Sequence, residues 1–147
     1  MSEEALFPQK NIDDLDQKIL KLITKNARIP FLEVARECGV SGAAIHQRVQ
    51  RLMNIGVISG SEFKVCPEKL GYNTCAFMGV YLEKASCHKE VVKQLLAIPE
   101  IIECHYTTGS YAIFLKIQTK TNKHLKQLID EHFQQIEGIA RTETFMS

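Results

Sequence analysis

The segment Phe31–Ile58, FLEVARECGVSGAAIHQRVQRLMNIGVI, decides the reading of the chain. Two short apolar-periodic segments meet at Cys38-Gly39-Val40-Ser41, and a glycine-marked strand signal follows at Gly56-Val57-Ile58. That order predicts a supporting helix, a tight turn, a second helix and the start of a wing. Gly39 suits the left-handed residue just past the first helix, and Ser41 suits the N-cap of the second. Ile45, Val49 and Leu52 fall at i, i+4 and i+7 and form one buried stripe. The other face carries Ala43, His46, Gln47, Gln50, Arg51 and Asn54, and no Asp or Glu occurs between Glu37 and Glu62. A helix enters the DNA major groove only if its outer face neither repels phosphate nor hides behind bulky apolar groups. The candidate DNA contacts are therefore Ser41, Gly42 and Ala43 at the helix start, then His46, Gln47, Arg48, Gln50 and Arg51. Arginines pair with phosphates or guanine edges, and Gln47 and Gln50 suit adenine.

Working outward, Met1–Asn11 is polar and aperiodic, the pattern of a mobile arm. Asp13 or Asp14 can cap a first helix whose stripe is Leu15, Ile19, Leu22 and Ile23. Pro30 opens the next helix, with Leu32, Ala35 and Cys38 expected inward. Residues 12–60 thus form a winged helix-turn-helix domain with its motif at 31–50, and residues 61–73 form a linker.

From residue 74 the periodicity changes. Thr74–Leu82, TCAFMGVYL, is apolar on both alternating faces, with Phe77 on one and Val80 on the other. A strand apolar on both faces needs a helix layer on one side and a second sheet on the other. The chain is too short to supply that second sheet, so a sheet-to-sheet homodimer is expected, with Phe77 and Val80 as its interface candidates. Helix, strand, strand, helix and strand patterns follow at 88–97, 101–107, 111–118, 122–135 and 139–146. The result is βαββαβ, a ferredoxin-like arrangement over residues 74–147, and an α+β chain.

Composition bounds the function. The net charge of +1 gives no whole-chain signal for nucleic acid, so the relevant charge is local. Five cysteines without a CxxC pair, and no apolar leader, lead us to expect reduced thiols and a cytoplasmic protein. No apolar run approaches the roughly 20 residues that span a bilayer, and no membrane partner is expected. Cys87-His88 and Cys104-His105 suggest metal only until geometry is considered. Adjacent residues in a strand point to opposite faces, so Cys104 and His105 cannot chelate together. No nucleophile–base constellation stands out either, so neither catalysis nor a metal or other cofactor is expected.

Several short motifs occur in a fixed order: Leu15-Asp16-Gln17-Lys18-Ile19-Leu20, Asn26-Ala27-Arg28-Ile29-Pro30, Val40-Ser41 with Arg48-Val49-Gln50-Arg51-Leu52, and Gly56-Val57-Ile58-Ser59-Gly60. Glu103-Cys104-His105, Gly109-Ser110-Tyr111 and Thr142-Glu143-Thr144 follow. In this order they resemble the leucine-responsive/asparagine (Lrp/AsnC) family of transcription regulators. The resemblance implies an amino-acid-responsive, sequence-specific DNA binder whose second domain, the RAM domain, dimerises and builds tetramers or octamers. It further implies a small-molecule effector between dimers, near the loop Thr108, Gly109, Ser110, Tyr111 and Ala112. Thr142 and Thr144 on the last strand are expected to supply hydroxyls to that ligand. Many relatives carry aspartate where this chain has Ala112, which implies altered amino-acid selectivity. An alternative is an enzyme subunit, since sirohaem decarboxylases resemble the same two-domain arrangement. That chemistry needs basic clamps for carboxylates, yet Arg141 is the one arginine after Arg51.

Overall fold

The computed structural model describes residues 12–147, so the predicted N-terminal arm lies outside the described residues. The chain divides into two compact units, one ending at Phe63 and the other beginning at Lys64.

The first unit contains α1 (Asp14–Lys25), α2 (Phe31–Cys38) and α3 (Gly42–Asn54). Asp13 caps α1 in a reciprocal box, its side chain accepting from the Asp16 N–H while Asp16 accepts from the Asp13 N–H. Gly39 ends α2 at φ 67°, the left-handed conformation its place in the turn predicts. Ile19, Val34, Ala35, Ile45 and Val49 form the core, with Leu15, Leu22, Ile23 and Phe31 packed around them. Leu32 is corrected: it is 72% exposed, and Val34 takes the inward position instead. The helical phase that buries Val34, Ala35 and half of Cys38 leaves position 32 outside.

The expected wing strand is not formed. Residues 55–58 turn back on α3, with Gly56 at φ 80°, Gly56 N–H donating to Met53 at 3.1 Å and Ile58 N–H to Leu52 at 3.0 Å. Ile58 packs on the helical core. A strand needs a ladder partner, and none of the described residues pairs with this segment.

The second unit contains β1 (Thr74–Leu82), α4 (His88–Leu96), β2 (Ile101–Tyr106), β3 (Ile113–Thr119), α5 (Asn122–Glu131) and β4 (Ile139–Met146). The strands form one sheet in the order β2-β3-β1-β4, with each neighbouring pair antiparallel, the ferredoxin-like topology. One face carries Ala76, Met78, Val80, Ile113, Leu115 and Ile117, all fully buried against Val91 and Leu95 of α4 and Leu125 and Leu128 of α5. Val80 is therefore corrected as an interface candidate. Its side chain fills the unit's own core, because residues 77 and 80 differ by an odd number and point to opposite faces. None of the helices among the described residues is long and apolar enough to cross a membrane.

Candidate functional site

In the first unit, Ser41 Oγ accepts from the Ala44 N–H at 3.1 Å and starts α3 at the predicted residue. Ile45, Val49 and Leu52 are buried beneath it. Their burial turns Ala43, His46, Gln47, Gln50, Arg51 and Asn54 to one outward concavity. His46, Gln47 and Gln50 are exposed there. Gln50 donates to Asn54 at 3.1 Å, and the His46 ring meets Phe31 edge-on at 5.2 Å. This is a polar surface one helix wide, with donors and acceptors of the kind that read base edges.

Arg48 does not line that concavity. It lies beside the first turn of α1, hydrogen-bonded to Asp13 and, at 3.3 Å, to Asp16. Arg51 donates to the other oxygen of Asp16 at 3.0 Å. The Arg48 guanidinium, helped by the Asp16 N–H, holds the Asp13 carboxyl down at about 2. So α3 is free of acids in sequence, yet α1 brings two carboxylates to its arginines. One signal did announce this: Asp16 precedes Ile19 by three and falls on the apolar stripe of α1, where an acid needs a cationic partner.

In the second unit the loop after β2 is folded by its own bonds. Thr107 N–H donates to Ala112 at 3.1 Å, Ala112 N–H donates to Val80 at 3.0 Å, and the Thr107 hydroxyl donates to the Tyr111 carbonyl. Thr108, Gly109, Ser110, Tyr111 and Ala112 then line a depression with Tyr81, Leu82, Ala85 and Tyr106. Gly109 does not take a positive φ and has open space where a side chain would stand, so nothing in the backbone demands glycine there.

Tyr111 lies flat on β1 over Gly79, where an added Cβ would come within 2.3 Å of its ring. Its hydroxyl donates to Glu143 at 2.6 Å, and this bond, with desolvation and the carboxylate charge, pushes the phenol up to about 12. Tyr81 donates to the same carboxylate at 3.4 Å, and Arg141 lies 3.5 Å from it and 4.1 Å above the Tyr81 ring. Thr142 and Thr144 pair with Val80 and Met78 and share their face, so the structure does not bring them to Tyr111. Glu143, which is brought there, was missed by sequence reasoning, although the strand period of two points to it.

The sheet face opposite α4 and α5 is aromatic. Phe77 and Phe114 stack at 5.9 Å, and Tyr111 joins them to Phe145, with ring centroids 6.1 Å from Phe114 and 6.3 Å from Phe145. Its charges are matched locally, Glu103 with His105 at 3.0 Å and with Lys116 at 3.6 Å. Cys104 packs toward the helix side while His105 is exposed on the other. Among the described residues no group of three or more His, Cys, Asp or Glu converges as metal ligands would.

Comparison with known proteins gives concordant results. Residues 12–53 match the AsnC-type helix-turn-helix domain, and residues 75–147 match the Lrp/AsnC ligand binding domain. The chain is 43% identical to the regulatory protein AsnC of Haemophilus influenzae over 137 residues, covering 93% of this chain and 91% of that one. It is 37% identical to the HTH-type transcriptional regulator FL11 of Pyrococcus furiosus, covering 92% and 88%. The solved structure of Escherichia coli AsnC superposes with a TM-score of 0.87 at 35% identity, over 92% of this chain and 91% of that one. These relatives are regulators, and nothing among them supports the decarboxylase alternative.

Proposed function

Because this chain belongs to the Lrp/AsnC family of transcription regulators, we propose that α3 reads duplex DNA and that the sheet unit couples this to a small effector. The protein is a DNA-binding transcription regulator with a helix-turn-helix domain and a ligand-binding domain. The observation that carries the reading of the site is the outward concavity of α3, lined by Ala43, His46, Gln47, Gln50, Arg51 and Asn54.

In this reading Ser41, Gly42 and Ala43 bring the start of α3 to the phosphate backbone, where helix N-terminal N–H groups attract anions. Gln47 and Gln50 supply paired donor and acceptor atoms for base edges, with His46 beside them. Arg48 and Arg51, whose side chains stay partly exposed beside Asp16, supply phosphate contacts. Two copies of the chain join through the aromatic sheet face around Phe77 and present one α3 to each half-site of a near-palindromic operator. Dimers assemble further, to tetramers or octamers. The effector, an amino acid or a related small molecule, sits against the Thr108–Ala112 loop, with Tyr111 beside it. The exposed backbone at Gly109 can be approached closely enough to hold a carboxylate.

The test is selection of bound fragments from random duplex DNA by the full chain, with and without a panel of the twenty amino acids. A near-palindromic motif is expected to enrich, and at least one amino acid to change its recovery. Gln47→Ala combined with Gln50→Ala should then lose about 1–3 kcal/mol of discrimination for each base pair read. Failure to enrich any motif would refute the DNA reading.

A further inference from the structure

Asp16 is the fully buried charged side chain among the described residues. Oδ1 accepts from Arg48 at 3.3 Å, and Oδ2 accepts from Arg51 at 3.0 Å and from the Asp13 N–H at 3.2 Å. A carboxylate removed from water is costly to keep, and an apolar residue often serves stability as well or better. What such a group does well is hold its partners in one arrangement. Both partners here are arginines of α3, and they keep 34% and 38% of their side chains exposed. A guanidinium carries five donors in a fixed plane, so it can serve a carboxylate and a phosphate or base edge together.

We propose that Asp16 is a positioning residue for DNA recognition: it clamps Arg48 and Arg51 so that α3 meets its site with both guanidiniums already in place. The inference rests on the reading of α3 as the DNA-contacting helix. The clamp has two consequences. Held arginines fit one spatial arrangement of phosphates and fit others poorly, which favours the specific site. Asp16 and Asp13 also offset the arginines' charge, and the attraction to arbitrary DNA depends on uncompensated charge. Removing the carboxylate should therefore weaken the specific complex and strengthen the unspecific one.

The experiment uses the full chain and two duplexes of equal length, one enriched by the wild type and one with scrambled sequence. Each is titrated at several salt concentrations with wild type and Asp16→Asn. The ratio of specific to unspecific affinity is expected to fall roughly tenfold or more, about the worth of one good base contact. The salt dependence on the scrambled duplex is expected to steepen. A purely structural role would lower the melting temperature and leave both readouts unmoved where the protein is folded. Asp13→Asn is the second variant, since asparagine still caps α1 while Arg48 loses one carboxylate. It should move both readouts in the same direction by less. A wild-type ratio and slope in folded Asp16→Asn overturn the proposal, as they do in Asp13→Asn if Asp16→Asn does not fold. A wild type that enriches no sequence would instead refute the DNA reading, and the inference with it.

Discussion

Among the described residues the first unit buries six apolar side chains, Ile19, Val34, Ala35, Ile45, Val49 and Leu52, whereas thirteen fill the space between sheet and helices in the second. A three-helix unit this small is near the lower limit for an independent core. It compensates with directional polar links: the capping box at Asp13 and Asp16, the Ser41 cap, and the arginine pairs on Asp16. The sheet unit keeps its charges off the core, and on the open face Glu103 pairs with Lys116 and Arg141 with Glu143. The contrast teaches where geometry is specified. A large apolar core sets the position of a whole sheet, while a small one needs polar contacts to set the angle of a single helix.

The largest expected effect lies on the face that the sheet unit's own core does not cover. Burying a large aromatic contributes up to about 1.5–3 kcal/mol per copy, and a dimer joined through this face would cover the half-buried Phe77 twice. Phe77→Asp should therefore raise the dimer dissociation constant by roughly two decades or more, read by sedimentation or light scattering. The helix-side core should keep the variant folded. A wild type that is a folded monomer at micromolar concentration would break this half of the contrast.

Next comes the helix-side face itself. Leu115 is fully buried on β3, beside Met78 and Cys104 in the ladder. Leu115→Ala should cost about 2–5 kcal/mol by lost transfer and residual cavity, measured by denaturant titration. A cost under about 1 kcal/mol would mean that the sheet unit is less closely packed than well-ordered cores are.

How far these features could be read in advance follows the same division. β1 and β4 emerged at their observed bounds because a period-two pattern is local and the sheet enforces it. The α3 start was legible from Ser41, and the turn from Gly39, since caps act within four residues. The Asp16 clamp was legible only as the need for a cationic partner on the α1 stripe, because the partners themselves lie 32 and 35 residues away and α3 alone shows no acid. Likewise Tyr111 was identified and its partner Glu143 was not, because contact across a sheet depends on register. The wing failed for another reason: Val57-Ile58 has strand composition, but a strand exists only with a neighbour.

A smaller effect tests the local half of the contrast. Ser41→Ala removes the side-chain acceptor for the Ala44 N–H and should cost about 1 kcal/mol. Ser41→Gly should cost only a few tenths, because glycine leaves the orphan N–H open to water. Equal losses for the two, by thermal melting, would show that the cap hydrogen bond is not what starts α3.

The smallest effect is a comparison by pH of two displaced groups of opposite sense, Asp13 in the first unit and Tyr111 in the second. Asp13 titrates at about 2 when folded against an ordinary 3.8, so the bonds that hold it ionised stabilise the first unit above the ordinary value. That contribution is lost as pH falls from about 4 through 2. Tyr111 titrates at about 12 against an ordinary 10.0, so its neutral form is favoured on folding. That contribution is complete below 10 and is lost as pH rises toward 12. Helix content should thus begin to weaken at the acid end through α1 and α3, and the sheet at the alkaline end through β1, β3 and β4. Asp13→Asn should flatten the acid limb alone, and Tyr111→Phe should remove the late step in phenolate absorbance and flatten the alkaline limb alone. If either substitution altered the opposite limb, the two units would be coupled in stability, and the division between a polar-linked unit and a core-built one would have to be redrawn.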